Sequence, residues 1–388
     1  MNIVFLLRYW PVFGGGEKVT SLLANKFVDT GHNVFVLYLW ERSRSDISFI
    51  DKRIKQICIS DISEPDEYHN INKTDFQKLK KTLTNLIQET DINIVINQWW
   101  PSKLVYKAIK CSNIKQIKCH HTNVFQHISR RSMKHNLFHR IFGNTGYKFL
   151  LKLMYLNDLK YSDRWILLSE LFLDEAKLLF SPAIAEKKIR VISNPLPYSY
   201  ILSKDDIKGK EKIVLYVGRI DGNKRINYII DAWSKLEKEL ELCDWRLLIV
   251  GEGVDLPKIK EYSYKLKCQR IFFEGWQNPQ EYYFRAAILV MTSINEGWPM
   301  VLAEAQQHGC VPVVMDSFVT LHDIIIDNVN GKIIKNNDIE EFSNTIKMLM
   351  NNEEQRFSLA YSGLETCMRF SIDNIMRSWD NLFSEFKV

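Results

Sequence analysis

The sequence is poor in the patterns that would tie it to several common classes of protein. Its seven cysteines, at positions 58, 111, 119, 243, 268, 310 and 367, are odd in number and never form a C-x-x-C pair. That argues against a disulfide framework or a structural zinc site and favours a reducing compartment. No apolar run approaches the roughly 20 residues that a membrane span needs. The opening MNIVFLL is too short for a signal peptide and ends in Arg8 and a glycine run, so it reads as a first strand rather than a leader. There is no short-period repeat and no low-complexity tract. A dinucleotide fingerprint is also missing, because G-x-G-x-x-G/A would want Gly or Ala at Val19.

What is there is an ordinary globular composition in 388 residues, 46% hydrophobic and 25% charged, a length that fits two domains. The net charge of +6 is unevenly spread: Pro101–Arg164 holds thirteen Lys or Arg and two acidic residues, and the remainder is net acidic. Such asymmetry points to an anionic partner. Apolar runs and 3.6-residue patterns alternate: strands at Asn2–Leu7, Asn33–Leu39, Ile92–Ile96, Ile114–Cys119 and Trp165–Leu168, with helices at Glu17–Thr30 and Thr74–Glu89 among them. The alternation restarts after Pro195, with strands at Ile213–Val217, Trp245–Val250, Arg270–Phe273 and Ile288–Met291. This order predicts an α/β protein with parallel sheets covered on both faces. The expected domains are 1–195, a linker over 196–211, 212–370 and a C-terminal helix over 371–388. In such sheets ligands bind outside the carboxyl ends of the strands.

Four segments at those ends carry chemistry. Gly14-Gly15-Gly16-Glu17 joins the first strand to the first helix, where backbone N–H groups favour an anion; a tight turn would serve equally. Glu41, near the end of the second strand, is a loose candidate for a ribose carboxylate. Val217-Gly218-Arg219, with Lys224 nearby, places an Arg fork and a Lys point charge suited to a diphosphate, unless both are solvated surface cations. Glu296-Gly297-Trp298-Pro299-Met300-Val301-Leu302-Ala303-Glu304 sets two carboxylates at different heights on a helix start, where carboxylates suit vicinal sugar hydroxyls. Finally, Cys119-His120-His121-Thr122-Asn123 ends a strand. Successive residues there point to opposite sides, so one cleft-facing His fits better than a metal pair.

In order along nearly the whole chain, GGGEKV, HHTN, SNPL, VGRIDGNKRI and EGWPMVLAEA resemble the motifs of the group 1 glycosyltransferases, glycosyltransferase family 4. The resemblance implies a GT-B fold: two doubly wound Rossmann-like domains facing a central cleft, with the C-terminal helix crossing back to the first. It implies a retaining glycosyltransferase, of the hexosyl- or N-acetylhexosaminyltransferase class. The donor would be a nucleotide-sugar, with a UDP-sugar expected, and the acceptor a glycan or lipid-linked molecule in bacterial surface polysaccharide synthesis. By resemblance Glu304 binds the ribose hydroxyls and Glu296 a donor-sugar hydroxyl, and Arg219 and Lys224 neutralise the departing diphosphate. His121 contacts the donor sugar, and Gly15, Gly16, Gly218, Gly297, Trp298, Pro299, Met300 and Val301 line the donor site. No metal, cofactor or nucleic acid is implied. After E-x7-E the chain departs from the family's Gly-Gly turn, having Asp316-Ser317-Phe318. The alternatives are another nucleotide-sugar enzyme, such as an epimerase or phosphorylase, or a non-catalytic binding protein.

The basic segment adds one more expectation. Leu137, Phe138, Ile141, Phe142, Phe149, Leu150, Leu153 and Met154 fall on one helical face beside cations. That is the pattern of a helix lying in a bilayer interface, and it predicts a cytoplasmic enzyme held peripherally on the inner face of the membrane. Gly143 and Gly146 would interrupt that helix, and the face would then pack in the core instead.

Overall fold

The computed structural model describes residues 1–11, 14–41, 49–60, 71–110, 112–125, 137–198 and 202–386; the side chains of 137–145, 147 and 204 are outside the description. The chain forms two compact units, Met1–Pro197 with Ile372–Val388, and Tyr198–Ser371.

The first unit runs β1 (Asn2–Trp10), α1 (Gly15–Asp29), β2 (Asn33–Glu41), β3 (Lys55–Cys58), α2 (Lys73–Glu89), β4 (Ile94–Asn97), α3 (Ser102–Ile109), β5 (Lys115–His120), α4 (Leu137–Tyr161), β6 (Arg164–Leu167), α5 (Glu170–Lys177), α6 (Pro182–Lys188) and β7 (Ile189–Val191). Among the described residues its strands form one seven-stranded parallel sheet, ordered β3-β2-β1-β4-β5-β6-β7. The order reverses between β1 and β4, so the carboxyl ends of those strands flank a switch point of the kind that accepts ligands. Ile3–Leu7 are buried without alternation, as expected of a strand covered on both faces.

The second unit runs α7 (Lys204–Lys208), β8 (Glu211–Val217), α8 (Ile226–Leu236), β9 (Arg246–Val250), α9 (Leu256–Lys265), β10 (Ile271–Gly275), α10 (Pro279–Arg285), β11 (Ala286–Met291), α11 (Met300–Gln307), β12 (Val311–Asp316), α12 (Leu321–Ile324), β13 (Lys332–Lys335), α13 (Ile339–Asn351) and α14 (Glu353–Cys367). Its sheet is again parallel, ordered β10-β9-β8-β11-β12-β13, with the reversal between β8 and β11.

The last helix, α15 (Ile372–Ser384), belongs to the first unit. Its apolar face packs on α1, with the rings of Trp379 and Phe383 centred 5.9 and 5.5 Å from that of Phe27. Lys26 pairs with Asp373 at 2.7 Å, and Glu385 just beyond the helix is held by Arg164 and Arg190, each at 2.7 Å.

Two expectations change. The stretch 196–211 is no simple linker: Ser203 and Asp206 form a reciprocal capping box at the start of α7, and Ile207 is buried in the second unit's core. Gly143 and Gly146 do not break the helix, for α4 runs through both.

Candidate active site

In the second unit the loops that follow β8 and β11 meet at the switch point. Ile294 N–H donates to the Asn223 carbonyl at 2.7 Å and Asn223 Nδ2 to the Asn295 carbonyl at 2.8 Å. Thr292 Oγ1 donates to the carbonyls of Lys224 and Arg225 at 2.9 and 3.0 Å. Arg225 takes the left-handed backbone, φ 47°, which costs a non-glycine residue about 1 kcal/mol. Its guanidinium offsets that strain, donating to the Thr292 and Ser293 carbonyls at 2.6 and 3.2 Å and to the side chains of Asn336 and Asn337 at 2.9 and 2.7 Å. The loop after β9 lies against the same stretch: a Cβ on Gly251 would fall 1.9 Å from the Gly218 carbonyl oxygen, so only glycine fits there.

These contacts bring Lys224 to Glu296, Nζ to Oε1 2.5 Å, with the two side chains 16% and 14% exposed. Arg219 reaches outward, 73% exposed, its Nε 2.7 Å from Asp221. Gly218 has φ 152°, and the Tyr216 hydroxyl beneath it donates to the Arg219 carbonyl at 2.9 Å. The start of α11 has no side-chain cap, so its first-turn N–H groups present the positive end of the helix. Gly297 and Pro299 lie in that approach. Trp298, Met300 and Val301 offer backbone more than side chain: the Trp298 indole is buried against Phe370, ring centroids 5.0 Å apart, and Met300 is buried. Glu304, one turn inside α11, is 3% exposed, and the Tyr283 hydroxyl donates to its Oε2 at 2.9 Å. The Asp316-Ser317-Phe318 turn closes on the same loop, Ser317 Oγ donating to the Ser293 carbonyl while Phe318 is buried.

The remaining sequence candidates belong to the first unit. Gly14 is the N-terminal cap residue of α1, and Gly15 and Gly16 have open space where a Cβ would project. None of the three adopts positive φ, and only at Gly14 would a Cβ meet a neighbour, 2.3 Å from Glu17 Oε2, the end of a flexible side chain. His120 and His121 point apart, as the strand geometry requires. The His120 ring lies 5.2 Å from Tyr155 and 5.3 Å from Trp165, whereas His121 Nε2 meets Gln98 Oε1. Burial, with the charge of Lys118 beside it, lowers the His121 pKa to about 4. His121 is therefore neutral at pH 7, and its burial costs stability progressively as pH falls from 6.5 toward 4, where the unfolded state takes the proton first. Glu41 ends β2 exposed.

The basic segment separates into two groups. Lys118 is buried with Nζ 3.0 Å from the Trp100 carbonyl, and Lys115 and Arg164 are paired with Asp163 and Glu385. Lys103, Lys107 and Lys110 with Tyr106 stay exposed along α3. Phe149 (60% exposed), Leu150, Leu153 and Met154 stay exposed along α4 beside Lys148 and Lys152. Ser102 Oγ donates to Asp158 at 2.5 Å, tying the two helices together. Arg130, Arg131 and Lys134 are outside the described residues, as are the side chains of Leu137, Phe138, Arg140, Ile141 and Phe142. No described helix is long and apolar enough to cross a membrane.

Three features of this chemistry were not legible in sequence: the Arg225 and Asn223 stitches and the Tyr283 hydroxyl. The family described as Glycosyl transferases group 1 matches residues 201–366, the span that holds all of them. Over that span the chain resembles this family. The chain is 28% identical over 202 residues to the GalNAc-alpha-(1->4)-GalNAc-alpha-(1->3)-diNAcBac-PP-undecaprenol alpha-1,4-N-acetyl-D-galactosaminyltransferase of Campylobacter jejuni, covering 52% of this chain and 56% of that one. The chain spans about half the length of the curated relatives it matches first. Among solved structures, the lipopolysaccharide outer core galactosyltransferase WaaB superposes with TM-score 0.68 at 21% identity, covering 99% of this chain and 100% of that one. Anabaena HepE in complex with UDP and glucose superposes with TM-score 0.74 at 14% identity over 98% and 99%. The two units thus have the fold of these neighbours, GT-B.

Proposed function

We propose that the protein is a retaining glycosyltransferase that moves a sugar from a UDP-sugar to a glycan or lipid-linked acceptor in bacterial surface polysaccharide synthesis. The observation that carries this reading is the Lys224–Glu296 pair at 2.5 Å, held by two stitched loops in the approach to α11, whose Glu304 is buried. A cation suited to a diphosphate, a carboxylate suited to a sugar hydroxyl and a second carboxylate suited to a ribose diol lie on the segments that follow the switch-point strands β8 and β11, which supports the reading. The Campylobacter relative is named as acting on an undecaprenol-linked acceptor and the Anabaena structure holds UDP and glucose, and both support the substrate classes.

In the reaction the bond between the anomeric carbon and the diphosphate oxygen breaks. Lys224, Arg219 and the first-turn N–H groups of α11 neutralise the departing charge, the role a metal ion plays elsewhere. The acceptor hydroxyl attacks on the face the diphosphate leaves, and its proton passes to the leaving phosphate. Glu296 and Glu304 bind hydroxyls and neither acts as nucleophile. The test is nucleoside diphosphate release from UDP-sugars in EDTA. Release that rises at least tenfold when acceptor is added supports transfer. Release independent of acceptor, or dependent on restored metal, contradicts it.

The exposed faces of α3 and α4 are proposed to hold the enzyme on an anionic membrane surface on the cytoplasmic side. Each Lys near such a surface contributes about 1 kcal/mol, and the greasy α4 stripe adds apolar contact. Co-sedimentation with anionic vesicles at low salt is expected, lost at high salt and on neutral vesicles, and reduced by roughly 30-fold or more in a Lys148→Glu, Lys152→Glu variant, which removes two cations and adds two anions. Absence of binding to anionic vesicles at low salt removes the idea.

A further inference from the structure

The carboxylate read as the ribose ligand does not stand alone. We propose that Tyr283 is the positioning residue of the donor site: its hydroxyl fixes the rotation of the Glu304 carboxylate so that the carboxylate meets the ribose diol in one orientation. This rests on the reading of Glu304 as the ribose-binding group.

Tyr283 is itself fixed at both ends. It sits in α10, which Asn278 caps through the Gln280 N–H at 3.2 Å and which passes directly into β11. Its carbonyl accepts from the half-buried Lys210 Nζ at 2.7 Å and from Cys310 Sγ at 3.0 Å. Its ring is fully buried against His308, centroids 5.2 Å apart, and His308 Nδ1 lies 2.6 Å from the Glu304 carbonyl. Tyr198 packs edge-on against the other side of the same imidazole, at 5.0 Å, with its own carbonyl accepting from Gln307 Nε2 at 2.5 Å. A phenol in that shell cannot turn away, so its O–H has one direction, toward Glu304 Oε2.

A buried carboxylate needs donors, and one held by an ionised-group hydrogen bond loses the torsional freedom that would otherwise have to be lost on ligand binding. The choice of tyrosine matters for pH as well. Burial, and after it the charge of Glu304, push the Tyr283 hydroxyl well above its ordinary pKa, so it remains a donor throughout any working range. Phenylalanine would fill the same space and leave the carboxylate without that donor.

The readout that separates positioning from mere packing is discrimination for the ribose hydroxyl. The ligand is the nucleoside diphosphate that binds best among UDP, GDP, ADP and CDP, titrated calorimetrically beside its 2′-deoxy counterpart. In the native protein the deoxy ligand is expected to bind about tenfold more weakly, the scale of one hydrogen bond to a charged group. In Tyr283→Phe the native ligand is expected to lose about tenfold and the deoxy penalty to shrink to about twofold. A folded Tyr283→Phe protein that keeps the native ratio overturns the proposal. Should that variant not fold, the ratio is read in Glu304→Asp, which draws the carboxylate one methylene back from the phenol, and there too a retained ratio overturns it. If Glu304→Gln keeps the full ratio, or if no nucleotide of the four binds, the reading of Glu304 as the ribose ligand fails and the proposal falls with it, whereas a folded Tyr283→Phe protein that keeps the ratio overturns the proposal alone.

Discussion

Lys224→Ala and Arg219→Ala are each expected to lower turnover about 10²–10³-fold, the scale for removing one preorganised group that meets charge developing in the transition state. The departing diphosphate gains negative charge as the sugar bond breaks, so the loss should fall on kcat more than on KM. The two variants differ in side effects. Arg219 is 73% exposed and pairs with Asp221 at the surface, so its removal leaves the fold untouched. Lys224 is mostly buried against Glu296, and its loss strands a carboxylate that is 14% exposed, at a cost of about 1–3 kcal/mol. A modest fall in Tm is expected for Lys224→Ala and none for Arg219→Ala. Steady-state kinetics on both, with melting curves beside them, decide the point. Near-normal turnover in both variants would show that these cations do not serve the leaving group.

The parts of this architecture that could be read from sequence are those whose causes are local. Strands β1, β2 and β11 are unbroken apolar runs because both faces of their sheets are covered, and each is found within a few residues of its expected place. The E-x7-E segment is legible for the same reason: the two carboxylates and the helix start between them lie within nine consecutive residues. β3 was not legible. Lys55-Gln56-Ile57-Cys58 lies at the sheet's edge, where one neighbour suffices and solvent accepts polar side chains, so no apolar pattern is required of it. The 196–211 stretch misleads in the opposite sense. Its polar residues mark a linker by composition, yet Ser203 and Asp206 spend their polarity on capping α7, and a single Ile207 anchors the helix.

In the site the invisible contributions are the long-range ones. Arg225 reads as one more cation in VGRIDGNKRI, and only the fold brings it to carbonyls 67 and 68 positions away. Tyr283 in PQEYYFR looks like a core aromatic, which it is; that its hydroxyl ends at Glu304, 21 positions on, depends on α10 and α11 flanking the same strand, β11. Spacing therefore located the carboxylates and left out what aims them.

The division of labour between the two carboxylates gives the largest expected effect on binding. Glu304 stands one turn inside α11 and is expected to meet the ribose, which every nucleotide carries. Glu296 stands before the helix beside Lys224, where the sugar would lie, and a free nucleotide has no sugar to offer it. Removing Glu296 also releases Lys224 from its 2.5 Å pair, leaving that cation to the diphosphate. Calorimetric titration of Glu304→Ala and Glu296→Ala with free nucleoside diphosphate tests the account most directly. Glu304→Ala is expected to bind about 10- to 100-fold more weakly, the worth of hydrogen bonds to a charged group. Glu296→Ala is expected to bind the free nucleotide at least as tightly as the native protein while losing sugar transfer. Equal losses in the two variants, or native affinity in Glu304→Ala, would contradict a nucleotide-sugar site built on this pair.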